Sequence, residues 1–149
     1  MTSDTSGPTT TYKKLQVNRK ADLVASPGQT ANAIRISGVS RENSEVDGLW
    51  FGKVHTGPGE VSDAHHHGEA ETGGYVLQGR GFIRSGDGYR DIIYLEEGDF
   101  VYVPPFIPHI EGNASRTREL IWVTTRTPDN IVVNLGQDDI AEIEIDYRD

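Results

Sequence analysis

The sequence predicts an all-β domain, a sandwich or barrel of about eight short strands with little helix, and three observations lead there. From residue 34 onward, short runs rich in Val, Ile, Tyr, Trp and Phe recur at intervals of about ten residues. Clusters of Gly, Pro and Asp separate the runs. No long stretch carries the apolar spacing of a helix.

Taken in order, the chain begins "MTSDTSGPTTTYKK", polar and without hydrophobic periodicity, which sets residues 1–20 apart as a mostly flexible tail before a single domain over 21–149. Strands are predicted at 33–39 (AIRISGV), 49–55 (LWFGKVH), 61–67 (VSDAHHH), 74–84 (GYVLQGRGFIR), 89–95 (YRDIIYL), 99–104 (DFVYVP), 119–125 (ELIWVTT) and 130–135 (NIVVNL). Their connectors are turn chemistry: "TGPGE" after His55, "SGDG" between Arg84 and Tyr89, and "EEGD" before Phe100. "SGDG" reads as a tight hairpin loop, because Gly and Asp tolerate positive φ. The final "DIAEIEIDYRD", with Ile140, Ile143 and Ile145, fits neither period and reads as an edge strand or a short acidic tail. Eight strands are about the number whose closed barrel encloses one small ligand.

Composition narrows the function. At 149 residues and 35% hydrophobic, the chain supports one domain with a real core. Fourteen Lys and Arg against 23 Asp and Glu leave a formal charge of -9, which repels nucleic acid and anionic lipid, so neither is expected as a partner. With no cysteine, disulfides, thiolate metal sites and cysteine nucleophiles are excluded, and any metal must be held by nitrogen and oxygen. The start lacks a basic segment followed by an apolar one, and no apolar run approaches the ~20 residues of a membrane span, so a cytoplasmic protein is expected.

The chemistry concentrates in "DAHHHGEAE", residues 63–71. On a strand, residues of one parity share a face, so His65 and His67 point one way and His66 the other. Two imidazoles so placed reach a common ion and supply two of its ligands. Glu71, of the same parity, adds an oxygen provided the chain stays extended through "GEAE"; Glu69 has the same reach. A third nitrogen must come from His55 or His109, and His109 lies in "GDFVYVPPFIPHIEGN", where Pro104, Pro105 and Pro108 stiffen its approach. His55 and His66 read as ordinary structural histidines.

These residues resemble the two motifs of the cupin superfamily. "GEVSDAHHHGEAETGGYVLQG" (59–79) is similar to the first, G-x5-H-x-H-x(3,4)-E-x6-G, through Gly59, His65, His67, Glu71 and Gly79. "GDFVYVPPFIPHIEGN" (98–113) is similar to the second, G-x5-P-x-G-x2-H-x3-N, through Gly98, Pro104, His109 and Asn113. The resemblance implies a small jelly-roll β-barrel, often a homodimer, with a divalent metal held inside by His65, His67 and His109, and Glu71 as the fourth ligand. Two departures stand out. Phe106 occupies the glycine position of the second motif, and seven residues rather than six separate Glu71 from Gly79, so family spacing counted back from Gly79 lands on Thr72. Either Gly73 and Gly74 form a bulge that returns Glu71 to the metal, or the site has three histidines only, as in the β-diketone-cleaving dioxygenases of the family.

Histidine and carboxylate ligands suit Fe(II), the favoured ion, and also Zn, Mn, Ni or Cu. The expected function is therefore a metal-dependent enzyme acting on a small organic molecule, foremost a mononuclear non-haem iron dioxygenase. The alternatives are a lyase, isomerase or decarboxylase using another divalent metal, and a non-catalytic small-ligand-binding cupin. Phe106 and Ile107, from the loop carrying His109, are expected to touch substrate together with Tyr75 and Trp122. Gln78, Arg80 and Arg84 share parity and read first as a solvated strand face, with one of them holding a substrate carboxylate as the alternative.

Overall fold

A computed structural model describes residues 11–28 and 33–149. Its strands are β1 (Ala25–Pro27), β2 (Ala33–Val39), β3 (Trp50–Thr56), β4 (His65–His66), β5 (Glu71–Gln78), β6 (Gly81–Ser85), β7 (Asp91–Leu95), β8 (Phe100–Val103), β9 (Ile110–Asn113), β10 (Leu120–Thr127) and β11 (Val133–Asn134). Two single 3₁₀ turns, Lys20–Asp22 and Asp87–Tyr89, are the only helical pieces among the described residues. The all-β expectation holds, and the "SGDG" loop does join a hairpin, with β6 antiparallel to β7.

The strands form two packed layers. One is a six-stranded antiparallel sheet in the order β1-β2-β3-β10-β5-β8, and the other contains β7-β6-β9. The ladder of the second layer continues past β9. Val61 pairs with Gly112 and His65 with His109, and β4 in turn pairs with β11. Each inner face alternates as a half-buried strand must: Thr72, Gly74 and Val76 point inward from β5, and Leu120, Trp122, Thr124 and Arg126 from β10. Val54, Val76, Leu120 and Trp122 from the large sheet meet Ile83 and Leu95 from the small one to make the core.

Three differences from the expected strands have local causes. The run 74–84 is two strands in different sheets, because the chain turns at Gly79. There φ is +87°, and a Cβ would lie 2.7 Å from the carbonyl oxygen of Glu119, so only glycine fits. β9 escapes a propensity reading because Glu, Gly and Asn are poor strand formers; its neighbours on both sides create it. The predicted strands 61–67 and 130–135 shrink to two-residue pieces, since each pairs only briefly.

Beyond β11 the chain is irregular, as the acidic-tail reading expects, and it packs against the small sheet. Arg84 Nη2 donates to the carbonyl of Ala141 at 2.6 Å, and Arg80 bonds both the carbonyl of Asp146 and, at 2.8 Å, Glu96. Both arginines are thereby committed to structural hydrogen bonds. Of the expected N-terminal tail, residues 1–10 lie outside the described residues. Asn18 Nδ2 donates to the carbonyl of Gly38 at 2.8 Å, and Lys13 pairs with Asp47. No helix among the described residues is long and apolar enough to cross a membrane.

The motif glycine replaced by Phe106 marks a second left-handed position. Phe106 has φ +62°, its N–H donates to the carbonyl of Gly68 at 2.8 Å, and its ring is 62% exposed. A bulky residue there carries strain of order 1–3 kcal/mol. Urea unfolding is expected to show Gly79→Ala less stable than wild type by about 2 kcal/mol or more, and Phe106→Gly no less stable than wild type.

Candidate metal centre

The site begins with a backbone pairing. His65 N–H donates to the carbonyl of His109 at 3.0 Å, and His109 N–H donates back to His65 at 2.9 Å. Residues directly opposite on antiparallel strands project to the same face. The two imidazoles therefore lie together, with ring centroids 4.4 Å apart. His67, two residues along the same chain, brings a third ring at 5.0 Å from His65 and 5.1 Å from His109. All three are buried, with 0%, 3% and 2% exposure for His65, His67 and His109. One ring nitrogen of each lies within 4.8 Å of the others.

Their tautomers are set from behind. Nδ1 of His65 bonds the carbonyl of Asp63 at 2.8 Å, Nδ1 of His67 that of Ile131 at 2.8 Å, and Nδ1 of His109 that of Ile107 at 2.9 Å. A carbonyl only accepts, so each Nδ1 carries the proton and each Nε2 presents a lone pair. Such back-bonding orients metal-binding histidines. The Nε2 of His65 is buried and has no partner. A buried polar atom left unpaired costs about 1–3 kcal/mol.

His66 faces the other way, as parity requires. Its Nδ1 accepts the Gly68 N–H at 2.9 Å, and its ring lies 5.9 Å from that of Phe106. His55, on β3, pairs with Glu119 at 3.3 Å and takes no part in the site.

Glu71 is not brought to the cluster, which corrects the four-ligand expectation. The chain turns directly after His67, with the Ala70 N–H on the His67 carbonyl at 3.0 Å and Gly68 at φ +55°, and this breaks the parity on which Glu71 depended. The pairing of β5 with β10 is regular through Gly73 and Gly74; the register shifts only at Ile121/Trp122, opposite Leu77. Nothing rotates Glu71 inward. It is exposed, and its carboxylate accepts the Tyr102 hydroxyl at 3.2 Å. Glu69 is exposed as well. Thr72, where family spacing landed, is the inward residue.

A cation, not a carboxylate, stands beside His67. Arg126, 6% exposed, reaches Thr72 Oγ1 with Nε at 3.2 Å, Asn130 Oδ1 with Nη1 at 2.9 Å, and His67 Nε2 with Nη2 at 3.2 Å. Its guanidinium also lies over the Trp50 ring at 5.6 Å. Across the cavity, Glu111 projects from β9 on the same face as His109. Both residues escaped the sequence reading, although parity marks them: Glu111 is two positions from His109, and Arg126 continues the inward series of Trp122 and Thr124.

The cavity beside the histidines is about 30 Å³, room for about two waters. His67, Thr72, His109, Glu111, Thr124 and Arg126 supply its polar wall, and Trp122 and Ile83 part of its apolar one. Of the residues expected to touch substrate, only Trp122 is placed there. Tyr75 lies on the outer face of β5 against Phe100, at 4.7 Å between centroids, and Phe106 and Ile107 are exposed on the far side of the His109 loop. Strand parity turns Tyr75 out, and Phe106 packs its ring by His66, which faces away from the cluster.

Burial, reinforced by the Arg126 charge, holds the His67 imidazole down to a pKa of about 2. Burial also lowers that of His109, with Glu111 opposing. Arg126 is lowered by burial to about 10, again with Glu111 opposing, and so stays charged at neutral pH. His67 and His109 thus stay neutral beside a fixed cation.

The sequence profile of the cupin domain matches residues 52–125, the segment that contains all three histidines. The chain belongs to the cupin superfamily. Solved structures agree on the fold of this cupin. A Klebsiella pneumoniae protein with a double-stranded beta-helix domain superposes with TM-score 0.62 at 18% identity, covering 83% of this chain and 99% of that one. The polyketide cyclase RemF from Streptomyces resistomycificus gives 0.66 at 15%, covering 90% and 91%. A predicted oxalate decarboxylase from Thermotoga maritima gives 0.60 at 15%, covering 76% and 99%. No curated protein matches this cupin.

The depressed His67 pKa makes a pH prediction for the metal-free protein. The unfolded ring takes a proton below about 6.5, whereas the folded one resists until far lower, so the contribution is complete above pH 6.5 and lost as pH falls. Urea unfolding is expected to show this ring costing about 2 kcal/mol between pH 7.5 and pH 5. The slope should flatten in His67→Gln; an unchanged slope in that variant would contradict a neutral buried His67.

Proposed function

We propose that this cupin holds one divalent metal ion on Nε2 of His65, His67 and His109 and acts as an enzyme on a small organic molecule. The observation that carries the reading is the buried, partnerless Nε2 of His65 in a cluster whose three Nδ1 atoms are all tied to carbonyls. Three unprotonated ring nitrogens brought together suit a divalent ion of the Fe, Zn, Mn, Ni or Cu series, and the donor set fits the chemistry of such a site. When bound, the ion supplies Lewis acidity and, if it is iron, the means to activate dioxygen. The protein's own groups do the rest. The carbonyls of Asp63, Ile107 and Ile131 keep the rings aimed, and Trp122 and Ile83 supply part of the cavity's apolar wall.

With iron, the first reading is a mononuclear non-haem dioxygenase. One observation favours a second, non-redox reading as a lyase, isomerase or decarboxylase: a carboxylate, Glu111, lines the same cavity as the histidines. A carboxylate so placed takes a proton from a bound substrate and returns it.

Metal analysis of untagged protein is expected to find about one ion per chain, lost in His65→Ala and His109→Ala and unchanged in Glu71→Ala. Full metal in His109→Ala would overturn the three-histidine centre. Fe(II)-loaded protein should consume oxygen with a diketone, a catechol or a small thiol. Stoichiometric zinc with no oxygen uptake on any of them would remove the dioxygenase reading and leave the proton-transfer one, in which Glu111→Gln should slow turnover by 10² or more.

A further inference from the structure

The feature of the cavity that the metal reading does not use is its buried cation. Arg126 makes three hydrogen bonds, and every acceptor is neutral: a threonine hydroxyl, an asparagine amide and an imidazole. None of the ion pairs among the described residues includes Arg126, nor does any include Arg35, a second, half-buried guanidinium on the inward side of β2 whose Nε has no partner. Glu111 is the acidic group whose charge reaches both. Taking a cation out of water without a paired anion is costly, and a folded protein retains the arrangement where something else supplies the negative charge. A divalent ion on three neutral imidazoles would add two further positive charges to the same small space. The cavity then needs an anion, and its own walls provide only Glu111.

Geometry says where that anion goes. Nη2 of Arg126 donates to Nε2 of His67, the lone pair that a metal would take. An ion on His67 Nε2 would take that acceptor from Arg126 and leave the Nη2 N–H to another partner. A guanidinium presents its donors as a planar fork that matches a carboxylate. Trp50 beneath it and Thr72 and Asn130 at its edges fix the plane.

We propose that Arg126 is the carboxylate-binding residue of this cupin, and that its substrate is a small carboxylate with a second oxygen donor, held between Arg126 and the three-histidine centre. The second oxygen is the one that meets the metal, so this assignment rests on the metal reading for its second half and on Arg126 alone for its first. The narrow cavity, walled by His67, His109, Trp122 and Arg126, favours a small molecule over a large one.

Calorimetric titration of oxalate and pyruvate into metal-free and Co(II)-loaded protein tests it, with Co(II) affinity measured separately. Wild type is expected to bind one equivalent, more tightly when loaded. Arg126→Gln should lose tenfold to a hundredfold in carboxylate affinity in both forms. Its Co(II) affinity should be equal or higher, because the donor on His67 Nε2 is gone. Arg126→Lys, which keeps the charge without the fork, should fall between the two, and it carries the test if the glutamine variant fails to melt cooperatively. Carboxylate affinity in Arg126→Gln equal to wild type in both forms would overturn the assignment while leaving the metal centre intact. Carboxylate bound through Arg126 by a protein that takes up no Co(II) would instead overturn the metal reading and keep the assignment.

Discussion

The reciprocal hydrogen bonds between His65 and His109 are the contact on which the rest of the site depends. They close the ladder between the strand entering the barrel and the strand that follows the proline-rich loop, at 3.0 and 2.9 Å. Because the partners lie directly across from one another, two imidazoles are set side by side without any help from side-chain packing. The same register lets Ser62 N–H reach the Glu111 carbonyl at 2.8 Å and Glu111 N–H reach Ser62 Oγ at 3.0 Å. A slip of one residue would turn every one of these side chains to the other face. Asn113 then closes the far end of the strand. Its amide donates to the carbonyls of Thr56, Gly57 and Arg118, and its side-chain oxygen accepts the Ser115 N–H.

The electrostatics run opposite ways outside and inside. The chain carries a formal charge of -9, yet its cavity holds Arg126, with Arg35 near enough to feel it, against a single carboxylate. Exterior negative charge slows the approach of an anion, whereas the interior rewards its arrival. Such a site discriminates by what it does to a ligand once desolvated, since a neutral molecule of the same size leaves the cation unpaired. The rigidity of the walls makes this possible. An arginine held by Trp50, Thr72 and Asn130 has little freedom to swing out and satisfy itself in water.

What is legible in the sequence follows from how far strand parity reaches. Parity separates His65 and His67 from His66, and the stiff loop of prolines marks His109, so the three rings can be read before any coordinates. Parity fails for Glu71 because it assumes an extended chain, and the turn at Gly68 resets the count. It fails for Tyr75 because placing a residue on a face does not say which face is inside. Glu111 and Arg126 lie on readable faces, but a charged residue in a strand reads as solvent-facing, and only the three-dimensional closure of the barrel shows otherwise. Gly79 is similar: the sequence shows a glycine inside one long apolar run, and the approach of Glu119 explains why the run divides there.

Of the three carbonyls that aim the histidines, two belong to residues beside the β4/β9 ladder and the third, that of Ile131, belongs to irregular backbone before β11. That segment is fastened by the two-residue β11 pairing and by Leu135 N–H on the carbonyl of Ala64 at 3.0 Å. Elements with so few backbone bonds open at lower free energy than the sheets they border. Opening there frees the His67 ring and, one residue before Ile131, removes Asn130 from Arg126 as well. The hinge of the centre is therefore its C-terminal flank: the barrel can remain fully folded while one imidazole loses the carbonyl behind it and the guanidinium one of its three hydrogen bonds.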